Sequence, residues 1–281
     1  VDTYIEGKHF LNFKNPELII KKVIRSSISD LICKGVKPKY YFISASGNNK
    51  VFTKNNLSKI SRSLNEEQKK YNIKLGGGDT VYSNKLSFTV TSLGFSNKII
   101  HRNRSKIHDD IYVTGNLGDS FLGLLVLKKN IKINKKLSSY FVNQYYKPEI
   151  KYSLTDFFIK FATSSIDLSD GLISDLEKLT NNQNNSYQIY FDKIPLSNNL
   201  KSIIKSKNLI KKNLISKGDD YQVLFTANSK DRSFIKKITS LKKLKITRIG
   251  KILHSKHKSS IIDRKGRQIE ISNKGYLHTF D

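Results

Sequence analysis

Asp109–Leu127 reads DDIYVTGNLGDSFLGLLVL. The β-branched and aromatic run Ile111–Val113 gives way to a loop holding Gly115 and Gly118, then to a stretch dense in leucine. That order is strand, glycine turn and helix in immediate succession. The same grammar returns at Phe158–Thr180, FIKFATSSIDLSDGLISDLEKLT, where a small-residue turn precedes a helix carrying Leu172, Ile173, Leu176 and Leu179 on one side. Two such units predict an α/β or α+β fold.

Working upstream, KLSFTVTSLGF (Lys85–Phe95) sets Leu86, Phe88, Val90 and Ser92 on one face of a strand. NPELIIKKVIRSSISDLICKG (Asn15–Gly35) reads as a helix with Pro16 in its first turn and Gly35 as its stop. KYYFISAS (Lys39–Ser46) is a strand, TKNNLSKISRSLNEEQKKYN (Thr53–Asn72) a polar-faced helix, and residues 1–11 an extended segment. Downstream, YQVLFTA (Tyr221–Ala227) and LKITRIGKIL (Leu244–Leu253) are further strands, whereas TNNQNNSYQ (Thr180–Gln188) and SNNLKS (Ser197–Ser202) read as polar loops. The apolar-poor HRNRSKIHDD (101–110) is the expected seam between two domains, 1–108 and 109–281.

At 281 residues, 37% hydrophobic and 10% aromatic, the chain can bury a substantial core. No run approaches the roughly 18 apolar residues of a membrane helix, and no signal-peptide pattern is present. A single cysteine, Cys33, excludes an internal disulfide and fits a reducing compartment, so a cytoplasmic location is expected. The net charge of +28 comes overwhelmingly from lysine spread along the chain. Arginine, with its bidentate fork, is the usual reader of nucleic-acid phosphates, so nucleic acid is not expected as a partner. LKKLKITRIGKILHSKHK (Leu241–Lys258) stays a candidate basic patch. The chain has no methionine and opens at Val1 within a strand-like pattern, which suggests a missing natural N-terminus.

A subset of acids sits where apolar runs meet Gly, Ser or Thr turns: Asp2, Asp30, Asp79, Asp167, Asp170 and the pair Asp219–Asp220. Such positions carry site residues on an α/β scaffold. Short-stemmed carboxylates are also what Mg²⁺ requires when it is shared with substrate phosphates. Taken singly, each acid has a plain alternative. Asp30 or Asp170 fits a helix cap, Asp79 a turn, and Asp219–Asp220 a solvated pair. In the same way, Gly76, Gly77 and Gly78 before Asp79 read either as a tight hairpin or as backbone laid against a ligand. The chain lacks a G-x-x-x-x-G-K-[ST] phosphate loop, a G-x-G-x-x-G fingerprint, a G-x-S-x-G elbow and any zinc spacing.

In order along the chain, these segments resemble the thiamine-monophosphate kinase family, of the superfamily of aminoimidazole ribonucleotide synthetase and selenophosphate synthetase. DTYIEGKHF (Asp2–Phe10) is similar to D-T-x-x-E-G-x-H-F. SSISDLICKGVKP (Ser26–Pro38) is similar to N-x-S-D-x-x-A-M-G-A-x-P, with Ser27 in place of Asn and Cys33-Lys34 in place of Ala-Met. LGGGDT contains G-G-D-T, YVTGNLGDSFLGL matches V-T-G-x-L-G-x-S-x-x-G-L, and IDLSDGLISDL matches I-D-x-S-D-G-L-x-x-D-L. GDDYQVLFT is similar to G-E-D-Y-E-L-L-F-T, and GYLHTF to a closing G-[aromatic]-x-H-F.

The resemblance implies a two-domain fold like aminoimidazole ribonucleotide synthetase. Its N-terminal domain would contribute to a β-barrel across a homodimer interface, and its C-terminal domain would be α/β. It implies transfer of the ATP γ-phosphoryl to thiamine monophosphate, giving thiamine diphosphate and ADP, with several Mg²⁺ ions. The metal ligands would be Asp2, Asp30, Asp79, Asp167 and Asp170. Nucleotide contacts would come from Gly78, Asp79, Ser169 and Arg102, with Arg104 the alternative by counting from the other side. The acceptor would meet His9, Asp219 and Tyr276. No residue is assigned as a general base. A superfamily relative with another acceptor, or an inactive nucleotide-binding homologue lacking the family's upstream G-D-D motif, is the alternative.

Overall fold

A computed structural model describes residues 1–272 and 274–276. In chain order the strands and helices are β1 (Asp2–Ile5), α1 (Pro16–Ile32), β2 (Pro38–Gly47), α2 (Lys54–Tyr71), β3 (Lys74–Tyr82) and β4 (Ser87–Gly94). Then follow β5 (Asp110–Thr114), α3 (Asp119–Leu127), α4 (Lys135–Tyr146), α5 (Thr155–Phe158), β6 (Ala162–Asp167) and α6 (Leu172–Thr180). The last are β7 (Asn185–Tyr190), α7 (Asn198–Lys207), α8 (Lys211–Ile215), β8 (Val223–Ala227), α9 (Arg232–Leu241), β9 (Ile246–His254) and β10 (Ser260–Ile262). The fold is mixed α/β with two sheets.

The first sheet has the order β1-β4-β2-β3, antiparallel except for the parallel β2–β3 pair. Helix α1 covers one face of it. Pro16 occupies the first turn of α1, where its missing N–H costs nothing. Ile19, Ile20, Val23, Ile24, Ile28 and Ile32 recur at helical spacing and pack with Phe88 and Val90 of β4. Each such fully buried aliphatic contributes about 1.5–3 kcal/mol. Helix α2 is capped by Thr53, whose hydroxyl accepts from Asn56 N at 3.2 Å, and ends on left-handed Asn72. It is tied to α1 by a buried bidentate pair, Arg25 Nε to Glu67 Oε2 at 2.8 Å and Nη2 to Oε1 at 2.9 Å.

The second sheet has the order β10-β7-β9-β5-β8-β6, antiparallel except for β10–β7. Its main core gathers Ile111, Val113, Leu122, Phe141, Ile166, Leu176, Ile189, Leu224 and Ile249. Residues 95–109 lead from β4 to β5. The two sheets meet through α1. Ser29 Oγ donates to Asp167 Oδ2 at 2.6 Å, and Lys34 Nζ to the Ser165 carbonyl at 2.6 Å. Among the described residues no helix is long and apolar enough to cross a membrane.

Three local expectations are corrected. The glycine run is no hairpin: Gly76, Gly77 and Gly78 lie inside β3, an edge strand parallel to β2. A Cβ on Gly78 would sit 1.9 Å from the Ile43 carbonyl oxygen, so close backbone approach selects glycine there. Asn185–Tyr190, read as part of a polar loop, is β7, held by β9 and β10. Asn198–Lys207 is α7, with Ser197 as the cap that accepts from Leu200 N at 3.0 Å.

Candidate active site

The carboxyl end of β6 with the turn after it, the outer side of α3 and the start of the chain converge on one cavity of about 990 Å³. Strand β1 brings Asp2, and the segment after it brings His9. Asp30 comes from the last turn of α1, and Asp167 from the end of β6. Ser169 and Asp170 follow in the turn before α6. Asp219 lies before β8, while Arg102 and Tyr276 complete the lining. Tyr276 is carried there by residues 274–276 docking on the same turn: its N–H donates to the Asp170 carbonyl, and Ser174 N to the Lys274 carbonyl, both at 2.9 Å. The LHTF end of the closing motif (277–280) lies outside the described residues.

Gly78 and Asp79 are not brought to this cavity. Asp79 is exposed on edge strand β3, with its Oδ1 accepting from Thr80 N at 2.7 Å, so it is a strand residue and no turn. Between the two arginine alternatives, Arg102 lines the cavity and Arg104 does not. Asp30 lies within α1 and caps no helix start, and the N-cap of α6 is Gly171.

The electrostatics are those of acids held together. Asp167 is buried, and its carboxyl is pushed up to about 8 by burial and by Asp30 beside it. Burial and Asp30 also raise Asp2, whose carboxyl meets Tyr4 and Ser27. Mutually repelling oxygen donors on short stems, Asp167 buried and Asp2 and Asp30 half-buried, fit Mg²⁺, a hard cation that takes oxygen ligands and relieves such repulsion. Asp170 differs in pairing with Lys178, which also reaches Asp175 at 3.2 Å.

Several functional contacts escaped the sequence. Asp175 is fully buried, and its Oδ2 accepts from Asp170 N at 2.9 Å and Gly171 N at 3.1 Å, fixing the turn that presents Ser169 and Asp170. Its spacing from Gly171, in DGLISD, was the available signal. Lys22, 2% exposed, lines the cavity with Nζ 3.0 Å from Asp219 Oδ1 and 3.5 Å from the centre of the Tyr145 ring. Burial lowers its pKa, and Asp219 acts in the opposite direction. Asp219 and Tyr221 both have positive φ, 62° and 49°, a conformation L residues adopt at a cost. Lys22 therefore anchors a strained loop. Asp220 is no solvated partner of Asp219. Buried and raised to about 8, it accepts from Gly118 N at 2.8 Å and Ser120 N at 3.4 Å at the start of α3.

Comparison with known proteins gives a consistent answer. Residues 1–96 match the AIR synthase related protein, N-terminal domain family. A thiamine-monophosphate kinase of Buchnera aphidicola subsp. Acyrthosiphon pisum is 35% identical over 282 residues, spanning 99% of this chain and 85% of that one. The crystal structure of thiamine monophosphate kinase from Aquifex aeolicus is 26% identical and superposes with a TM-score of 0.82, covering 96% and 87% of the two chains. AaThiL complexed with AMPPCP and TMP is 25% identical with a TM-score of 0.85, over 98% of this chain and 85% of that chain.

Proposed function

The chain belongs to the thiamine-monophosphate kinase family, and on that premise we propose that it transfers the γ-phosphoryl of ATP to thiamine monophosphate, giving thiamine diphosphate and ADP. The observation that carries this reading is the convergence of Asp2, Asp30, Asp167 and Asp170 with Arg102, Ser169, His9, Asp219 and Tyr276 around one cavity. A phosphate oxygen of the acceptor attacks Pγ, the bond from Pγ to the bridging β,γ oxygen breaks, and ADP leaves with that electron pair. The acceptor oxygen already carries charge, so no side chain need remove a proton. Bound Mg²⁺ supplies charge neutralisation on the phosphates when held by Asp2, Asp30, Asp167 and Asp170. Arg102 grips phosphate oxygens with its fork, and Ser169 donates from the turn fixed by Asp175. His9, Asp219 and Tyr276 receive the thiamine end, with Lys22 holding Asp219 in place.

Gly78 and Asp79 serve in this reading across a homodimer. Strand β3 is a sheet edge with Leu75, Val81 and Tyr82 exposed, beside exposed Phe42 and Leu93. A bare apolar edge invites pairing with a second copy, closing a barrel and taking Asp79 to the partner's cavity. The domains are then 1–108, which binds metal–ATP and pairs, and 109–281. A cytoplasmic location accords with the lack of a membrane-crossing helix among the described residues.

ATP turnover that depends on thiamine monophosphate tests the reaction. Complementation tests the shared site. Asp79→Asn and Asp167→Asn homodimers should each be inactive. Subunit exchange between them should rebuild one intact site in each mixed dimer, restoring about a quarter of wild-type activity. No recovery in mixed dimers would return Asp79 to its own subunit or remove it from the site.

A further inference from the structure

Cys33 stands where the family motif has Ala, and it is the only cysteine in the chain. It follows Asp30 by three residues at the end of α1, which brings the two side chains to the same side of the helix. Its Sγ and one carboxylate oxygen from each of Asp30 and Asp167 all lie within 4.8 Å of one another. Asp30 and Asp167 face the cavity, and Cys33 lies fully buried beside them. Among the described residues the thiol's one hydrogen bond is a weak one to the Asp30 carbonyl at 3.1 Å, while Asp167 Oδ2 accepts from Ser29 and neither carboxylate is bonded to the thiol.

For Mg²⁺ a sulfur at this point is no asset, because that ion selects oxygen. Borderline and soft cations rank differently, since thiolate is among their preferred ligands. A tetrahedral zinc-type site has metal–sulfur bonds of about 2.3 Å and metal–oxygen bonds of about 2.0–2.2 Å, so its ligand atoms lie about 3.5 Å apart. Drawing the three atoms in by about an ångström lies within the reach of rotation of the Cys33 side chain and the two carboxyls about their single bonds, with Cys33 moving inside the apolar cluster that surrounds it.

We propose that Asp30, Cys33 and Asp167 form a site for a thiophilic divalent cation of the zinc and cadmium class, which competes there with Mg²⁺. On binding, the thiol proton leaves to solvent and a metal–sulfur bond forms. The competition rests on the kinase reading given above, whereas the cation site does not.

Cadmium titrated into chelator-stripped protein provides the test, read as the ultraviolet charge-transfer band from thiolate to cadmium. With one cysteine in the chain, the whole band reports Cys33. The band should saturate at a single equivalent, vanish in Cys33→Ser, weaken roughly tenfold or more in affinity in Asp30→Asn, and yield to excess Mg²⁺. A wild-type protein without the band overturns the site, as does a band of equal affinity in Asp30→Asn or one that excess Mg²⁺ leaves untouched. Should Cys33→Ser fail to melt cooperatively, the wild-type and Asp30→Asn titrations still decide. Thiamine diphosphate formation with Mg²⁺ alone separates the two readings. Its absence beside a normal band removes the kinase reading, and its presence without a band removes the cation site.

Discussion

Asp167 is where the metal-free protein should show its strain most clearly. Its carboxyl rises from 3.8 to about 8 on folding, mainly through burial and then through Asp30. At pH 7 the folded chain therefore holds a proton that the unfolded chain has released, so folding takes one up and stability falls as pH rises between those two values. At 1.36 kcal/mol per unit, the cost is about 4 kcal/mol at pH 7 and about 2 kcal/mol at pH 5. Set against a typical stability of roughly 5–15 kcal/mol, that is a large fraction. Asp167→Asn removes the titration while keeping an oxygen to accept from Ser29, which donates to Asp167 at 2.6 Å. In chelator the variant should be the more stable protein at pH 7, and its advantage should shrink by about half at pH 5. With Mg²⁺ the order should reverse, since only the wild type keeps the ligand. Urea unfolding at both pH values, with chelator and with Mg²⁺, reads all of this. Midpoints of the two proteins that move in parallel with pH in chelator would refute the reasoning.

Other outcomes follow from single contacts. Gly78→Ala should cost about 3 kcal/mol or more, because its Cβ would meet the Ile43 carbonyl at 1.9 Å; a wild-type melting temperature would show that β3 yields freely. Glu67→Gln should cost about 3 kcal/mol or more by leaving the Arg25 guanidinium buried with a neutral partner; denaturant unfolding measures it, and a loss within error would show that the α1–α2 pair is solvated. Arg102→Lys should lower kcat/KM for ATP about 10²-fold by removing the bidentate grip, while Arg104→Lys should leave it unchanged. Equal effects would dissolve the distinction between them.

Much of the fold was legible because apolar periodicity and burial coincide. Leu86 just before β4 and Phe88 and Val90 within it are all buried as alternation required, and α6 buries each of Leu172, Ile173, Leu176 and Leu179. Strand β7 was hidden because only Tyr187, Ile189 and Tyr190 mark it among polar neighbours, and its extended form is imposed by β9 and β10 from outside. Helix α7 was hidden behind Asn198 and Asn199, although Ser197 is a good cap for Leu200 and Ile203 to follow. The glycine run was ambiguous for a related reason. What forbids a side chain at Gly78 is the carbonyl of Ile43, thirty-five positions away in the chain and invisible in local sequence. Within the site, motif order placed Asp2, Asp30, Asp167, Asp170 and Asp219 at one cavity. Local sequence did not reveal that Asp79 would lie away from this cavity, or that Asp220 would turn inward to cap α3 while its neighbour Asp219 lines the cavity.

The most direct measurement is chromatographic separation of the products after incubating the protein with ATP, Mg²⁺ and thiamine monophosphate. Thiamine diphosphate and ADP should appear in equal amounts, and both should vanish with chelator or in Asp167→Asn. ADP that forms equally well without thiamine monophosphate, or a folded, metal-replete protein that yields no thiamine diphosphate, would contradict phosphoryl transfer to this acceptor.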